Sequence, residues 1–198
     1  MADGEESDES LIARAGRGDA KAAGALVARH ADRVYATARR MLGDAASAED
    51  AAQETFLRLW TSASRWRPQG AKFETWLFKV ATNICLDRLR KRGREVPEES
   101  APELADRAMR ADDLLIAEER RSAIEEALTR LPERQRAAIT LCHYQELSNI
   151  DAAAILGVSV EALESLLARG RRTLRDALHA DRADLLEVIA HDASSIAI

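Results

Sequence analysis

Nowhere in this 198-residue chain do apolar and polar residues alternate over a strand-length window, and β-branched residues are sparse. Without a period of two, a half-buried strand has no face to bury. Helical spacing recurs instead, as in Leu77, Val80, Ala81 and Ile84 at i, i+3, i+4 and i+7. Apolar residues make up 46 % of the chain and aromatics only 4 %, with Ala, Leu, Arg and Glu dominant. These side chains lose little freedom in a helix. The expected fold is all-α.

Helix punctuation divides the chain further. Residues 1–9 are acidic without an apolar face and are expected to be a disordered tail. Helical patterning begins near Ser10, pauses at Gly16–Gly18 and resumes from Asp19 to Leu42, with Gly43 as C-cap. Ser47 to Asp50 reads as a capping box opening a helix to about Ser64. Residues 65–71, with Pro68 and Gly70, read as a loop, and a helix from about Lys72 to Arg92 is expected to stop at Gly93. Residues 94–113 hold Pro97, Pro102 and many acids, the composition of a linker. Beyond it a helix reaches Leu131, and Pro132 suits the first position of the next. Ser148 caps a short helix ending at Gly157, and Ser159 caps a long one to about Leu178. Two small helical domains, 10–93 and 114–180, on a flexible linker and followed by a C-terminal tail (181–198), is the economical reading.

Net charge is −5, but it is unevenly spread: +3 over residues 1–93, −4 over 94–122, −1 over 123–178 and −3 over 179–198. Acid gathers in the linker and tail while base clusters within the domains, so DNA binding is compatible but of modest affinity for this chain alone. Cys85 and Cys142 lie far apart in helical patterns and read as small buried thiols. The four histidines are scattered, and no carboxylate pair, phosphate loop or nucleophile motif stands out. The expectation is a non-enzymatic protein with no cofactor and no metal. No apolar run approaches the ~18 residues of a membrane span, and the N-terminus is acidic, so a soluble cytoplasmic protein is expected.

Ser148–Leu178 has the layout of a helix-turn-helix. Ala153 lies four residues before Gly157, where crossing helices need a small side chain and the turn needs a positive backbone angle. Ile155, Val158, Leu163 and Leu166 or Leu167 supply the apolar seam. That leaves the start of the second helix free for a major groove, with Arg169, Arg171, Arg172 and Arg175 further along for phosphates. An ordinary helical hairpin with a basic face is the alternative.

In the first domain Glu49, Asp50, Gln53 and Glu54 form an acidic and amide face, beside apolar Phe56, Leu57 and Trp60. Such a surface suits protein docking or is simply a solvated face. Arg65-Trp66-Arg67 and the helix from Phe73 interleave aromatics with base, as single strands require. Lys79, Asn83, Arg90 and Lys91 project away from the core-facing residues. Trp66 reads as the exposed aromatic, and Trp76 as a packing residue.

With these segments in order, the chain resembles the extracytoplasmic-function sigma factors of the sigma-70 family. Asp44 to Trp60 is similar to the family's core-polymerase segment, Phe73 to Arg90 to its promoter-melting segment, and Leu131-Pro132-Glu-Arg-Gln135-Arg136 to the lead into its helix-turn-helix. The likeness covers about residues 10–178. It implies docking on the clamp helices of the largest core RNA polymerase subunit through Asp50, Gln53, Glu54 and Leu57. It implies −10 contacts, including single-stranded DNA and a flipped base, by Arg65, Trp66, Lys79, Asn83, Arg88, Arg90 and Lys91. It implies double-stranded −35 contacts by Ser159, Glu161, Ser165, Arg169, Arg171 and Arg172, with the second domain meeting the flap of the second-largest subunit. An anti-sigma factor is the implied regulator. Three features depart from the family: Glu164 and Leu166 stand where it usually carries Lys and Arg, Glu161 adds an acid, and Gly170 replaces an alanine. The alternatives are a sigma mimic that titrates an anti-sigma factor and a stand-alone helix-turn-helix regulator.

Overall fold

The computed structural model describes residues 6–67, 72–95 and 123–195, and among these there is no strand. Residues 1–5, the remainder of the loop at 68–71 and most of the expected linker lie outside them. The helices are α1 (Asp8–Ala15), α2 (Ala20–Leu42), α3 (Ala45–Ala63), α4 (Phe73–Glu95), α5 (residues 123–129), α6 (Glu133–Ile139), α7 (Asn149–Leu156) and α8 (Val160–Ser195). A π-helical turn, Thr140–Tyr144, extends α6.

Several boundaries depart from expectation. Helix α1 starts inside the acidic segment expected to be disordered, because its acids find partners. Glu6 accepts from Arg14 at 2.6 Å, and the Asp8 carboxylate meets Arg29 and, at 2.8 Å, His30 Nε2 on α2. The cap of α3 is Asp44 rather than Ser47; its Oδ1 accepts the Ser47 amide at 2.7 Å. Helix α4 runs through Gly93 to Glu95 instead of stopping. Arg92, just before it, reaches back to Asp44 at 2.9 Å and to Ser47, tying this last turn to the start of α3. Pro132 is the N-cap of α6, one position before the expected N1. Helix α8 continues unbroken to Ser195, beyond the expected stop near Leu178.

Helices α1 to α4 form one bundle around Leu11, Ile12, Leu26, Val34, Leu59, Phe73 and Leu77. Each such side chain contributes about 1.5–3 kcal/mol on leaving water. A second cluster, Met41, Phe78, Ile84, Leu128, Leu141, Ile155 and Leu163 among its members, draws from both halves of the chain. The two units therefore share a seam.

Polar contacts line that seam. Arg136 of α6, only 6 % exposed, donates to the Met41 carbonyl at 2.6 Å where α2 ends. Arg33 of α2 donates to Gln145 Oε1 at 3.1 Å and to Glu74, and Thr75 of α4 bonds Asp151 of α7 at 3.3 Å. The Arg40 guanidinium lies 4.1 Å from the Tyr144 ring centre. Gly43, with φ +84°, closes α2 where any Cβ would come within 2.9 Å of Thr129. The seam needs glycine there twice over, for backbone angle and for space.

Candidate functional site

Along α3, Asp50, Gln53 and Leu57 point outward in one stripe, and Leu57 is 63 % exposed. Phe56 and Trp60 do not join that surface. Phe56 is buried, Trp60 is half-buried, and their rings stack at 6.3 Å. Glu54 is bound on both oxygens, by Arg58 at 2.6 Å and by Arg88 at 3.0 Å. Partial burial pushes its pKa up, but the two guanidiniums outweigh it and hold the carboxyl below the usual range.

Helix α4 presents Lys79, Asn83 and Arg90 on one exposed side, with Lys91 and Arg94 also in solvent. Arg90 pairs with Asp87 one turn back. Arg88 was expected among the −10 contacts, yet at about 100° per residue it lies half a turn from Lys79. Its guanidinium faces α3, 3.6 Å from Asp50 and 3.0 Å from Glu54. It belongs with the acidic face.

At the near end of α4 a cavity of about 360 Å3 opens between the two halves, lined by Arg65, Trp66, Trp76 and Lys79 with Ala154 and Ile155 of α7 among its walls. Trp66 is half-buried rather than exposed, edge-on to Phe73 at 5.8 Å, and Trp76 lies 6.1 Å from the same ring. Both indoles pack and both still border the cavity. Rings beside guanidinium and ammonium groups can stack bases and balance phosphates. Sequence reading missed the part played by α7 here, since a wall from the second unit follows only from the seam.

In the second unit α7 and α8 cross as expected. Gly157 takes φ +62° and Ala153 is buried under the turn. Ile155, Leu163 and Leu167 are buried in the crossing, with Val158 packed at its edge. The Ser148 hydroxyl oxygen accepts the Asp151 amide at 3.1 Å, and that of Ser159 the Ala162 amide at 3.2 Å. Ser159, Glu161, Arg169, Arg171 and Arg172 are exposed and Ser165 is half-exposed, so the start of α8 is accessible. Glu164 accepts from Asn149 at 3.5 Å, which occupies one of the two unexpected acids. The other, Glu161, is held below the usual carboxylate range by its own amide and then by the Ser159 hydroxyl. Gly170 has a packing reason: a Cβ there would lie 2.8 Å from Ile139 Cδ1, where α8 presses on α6.

Among the described residues, no cluster of His, Cys, Asp and Glu could hold a metal ion, and no helix is long and apolar enough to cross a membrane. Cys85 is buried and its thiol pushed up to about 12 by that burial, whereas Cys142 is only half-buried.

Comparison with known proteins finds two family matches along the chain. The Sigma-70 region 2 profile matches residues 26–95 and the Sigma-70 region 4 profile residues 121–174. The chain is 41 % identical over 157 residues to the ECF RNA polymerase sigma factor SigE of Mycolicibacterium smegmatis, covering 77 % of this chain but 60 % of that protein. It is 32 % identical to SigW of Bacillus subtilis, over 82 % of this chain and 91 % of the relative. Among solved structures, CnrH bound to the cytosolic domain of CnrY matches 89 % of this chain and 99 % of that one, at TM-score 0.65 and 30 % identity. RpoE bound to the anti-sigma factor NepR, from Bartonella quintana, matches 80 % and 97 %, at TM-score 0.61 and 27 % identity. A region 2 bundle, a region 4 helix-turn-helix and relatives alike over most of their length leave one assignment: the chain belongs to the extracytoplasmic-function RNA polymerase sigma factors, non-enzymatic factors that direct polymerase at transcription initiation.

Proposed function

We propose that this chain docks on core RNA polymerase through the outward stripe of α3 and carries it to promoters with −35 and −10 elements. Asp50, Gln53, Glu54 and Leu57 meet the clamp helices of the largest subunit, with Leu57 as the apolar anchor inside a polar rim. Arg65, Trp66, Lys79, Asn83, Arg90 and Lys91 hold the −10 region and its unstacked strand. Ser159, Glu161, Ser165, Arg169, Arg171 and Arg172 meet the −35 duplex from α8, while the outer surface of the second unit faces the flap of the second-largest subunit. Opening of the DNA is driven by binding energy within the polymerase complex, in the cytoplasm.

The observation that carries this reading is the placement of two unlike surfaces on one bundle. The docking stripe is served by the Arg88 side of α4, and the cationic side of the same helix leads to the cavity of indoles and base. Likeness to the sigma factor RpoE solved with the anti-sigma factor NepR supports an anti-sigma partner for this chain too.

Run-off transcription with purified core polymerase on a promoter library tests the assignment. Asp50→Ala with Gln53→Ala should abolish polymerase binding; a protein that only titrates an anti-sigma factor would show no polymerase binding to lose. Asn83→Ala with Arg90→Ala should impair opening at −10 more than core binding, and equal loss of both would show that the −10 surface is misplaced.

A further inference from the structure

From its cap Ser159 to Ala168, the start of α8 carries no Lys, Arg, Asn, Gln or His. Its polar side chains there are two hydroxyls, Ser159 and Ser165, and two carboxylates, Glu161 and Glu164. At about 100° per residue Glu161, Glu164, Ser165 and Ala168 share the outward side, opposite buried Leu163 and Leu167. Leu166, the other departure from the family's basic pair, is half-buried and packs against the core. Glu161 is drawn back to the start of the helix, where its own amide and the Ser159 hydroxyl hold it. Glu164 is exposed, and among the described residues no cation pairs with it. Its Oε1 takes the Asn149 Nδ2 at 3.5 Å, and Asn149 Oδ1 in turn faces the Cys142 thiol at 3.8 Å. A contact this long steers one oxygen weakly and leaves the second able to accept.

A carboxylate brought against a duplex is repelled by phosphate unless a base edge donates to it, and the major groove restricts which base does so. Guanine presents N7 and O6, and thymine presents O4 and a methyl group, none of which can donate. Adenine sets its N6 amino group beside its own N7 acceptor, which a carboxylate repels. Cytosine offers the N4 amino group with no acceptor beside it on the same base. Phosphate contacts fall to Arg169, Arg171 and Arg172, which begin more than one turn beyond Glu164 and are all exposed.

We infer that Glu164 is a specificity-determining residue of the −35 face, accepting a hydrogen bond from the N4 amino group of a cytosine, so that the −35 element this chain reads carries a required cytosine under the start of α8. This rests on the −35 reading above and deepens it. A cation at this position, as the family usually has, would match the paired acceptors of guanine; a carboxylate inverts that choice.

The test is selection from a duplex library randomised over the −35 and −10 segments, using holoenzyme reconstituted from the full-length protein and core polymerase. The selected promoter and its single-base −35 variants are then titrated. The natural chain should select cytosine, on one strand or the other, at one −35 position, and replacing it should weaken binding about five- to fiftyfold. Glu164→Ala should lose discrimination at that position and keep it at the others. Glu164→Gln should shift the preference there to adenine, and Glu164→Arg to guanine. A selected −35 element without cytosine, or an unchanged preference in Glu164→Ala, would overturn the inference. So would a uniform gain of affinity for every sequence in that variant, since the carboxylate would then only repel phosphate. Arg169→Ala with Arg172→Ala checks the reading beneath: binding should weaken by a similar factor on all sequences. If that pair weakens binding while the Glu164 variants keep the natural preference, the inference alone fails. If all of them leave −35 binding untouched, α8 does not meet that element and both readings fall. Far-UV circular dichroism checks folding, and Glu164→Gln carries the comparison should Glu164→Ala not fold.

Discussion

Replacing Arg136 by methionine should loosen both halves of the molecule at once. The guanidinium is buried and donates to the carbonyls of Met41 at 2.6 Å, Leu131 at 3.1 Å and Thr129. Methionine keeps most of the apolar stem and removes every donor, leaving three carbonyls at a site with little water. A hydrogen bond from a charged donor contributes about 1.5–3 kcal/mol. The sum is reduced because the variant no longer carries the several kcal/mol cost of burying a cation, the reason its pKa is pushed down. A net loss of about 3 kcal/mol remains, or about 6–12 °C in Tm for a chain of this size. All three tryptophans, Trp60, Trp66 and Trp76, lie in the first unit. Their fluorescence therefore reports that unit, while far-UV circular dichroism reports both. Because Met41 ends α2, the tryptophan-monitored transition should fall together with the dichroism. If Arg136→Met melts within about 1 °C of the natural chain by both probes, the carbonyls are satisfied in some other way and the reasoning fails.

Two further outcomes follow from local geometry and charge. Gly16→Ala would put a Cβ 2.8 Å from the Ala63 carbonyl oxygen and 2.9 Å from Ser64 Cα, and should destabilise by about 1–3 kcal/mol in urea titration. Gly24→Ala, in the interior of α2 with open space around it, should instead stabilise by about 0.5–1 kcal/mol; reversal of that order would refute the contact. Asp19, Asp44 and Glu54 all have depressed pKa values, so their contribution is full above the ordinary carboxylate range and is lost as pH falls through the folded-state values. The urea midpoint should therefore decline below about pH 4, with a shallower decline in Asp44→Asn, and a midpoint that rose on acidification would contradict this.

What could be read from sequence was what each segment does to itself. Gly43 and Gly157 end helices in the left-handed conformation, and Ser148 and Ser159 cap them, because those preferences depend on atoms within one turn. Leu77, Ala81 and Ile84 face the core because the helical period fixes their common side. The exposed stripe of Asp50, Gln53 and Leu57 and the cationic side of α4 follow from the same rule.

What opposes each face was left to tertiary packing. Asp44 and Ser47 are both good caps; Asp44 takes the Ser47 amide, and Arg92, arriving from the far end of α4, bonds both side chains. Arg88 looked like one more cation in a basic run until α3 lay beside it with two carboxylates. Phe56 and Trp66 turned out to be partly or fully sequestered because neighbouring helices cover them. Arg136 stood inside a short motif with no sign that one of its acceptors, the Met41 carbonyl, lay on a helix nearly a hundred residues earlier. Periodicity sets the direction of a side chain on its own helix, whereas its partner is chosen by contacts between segments remote in the chain, which no local pattern encodes.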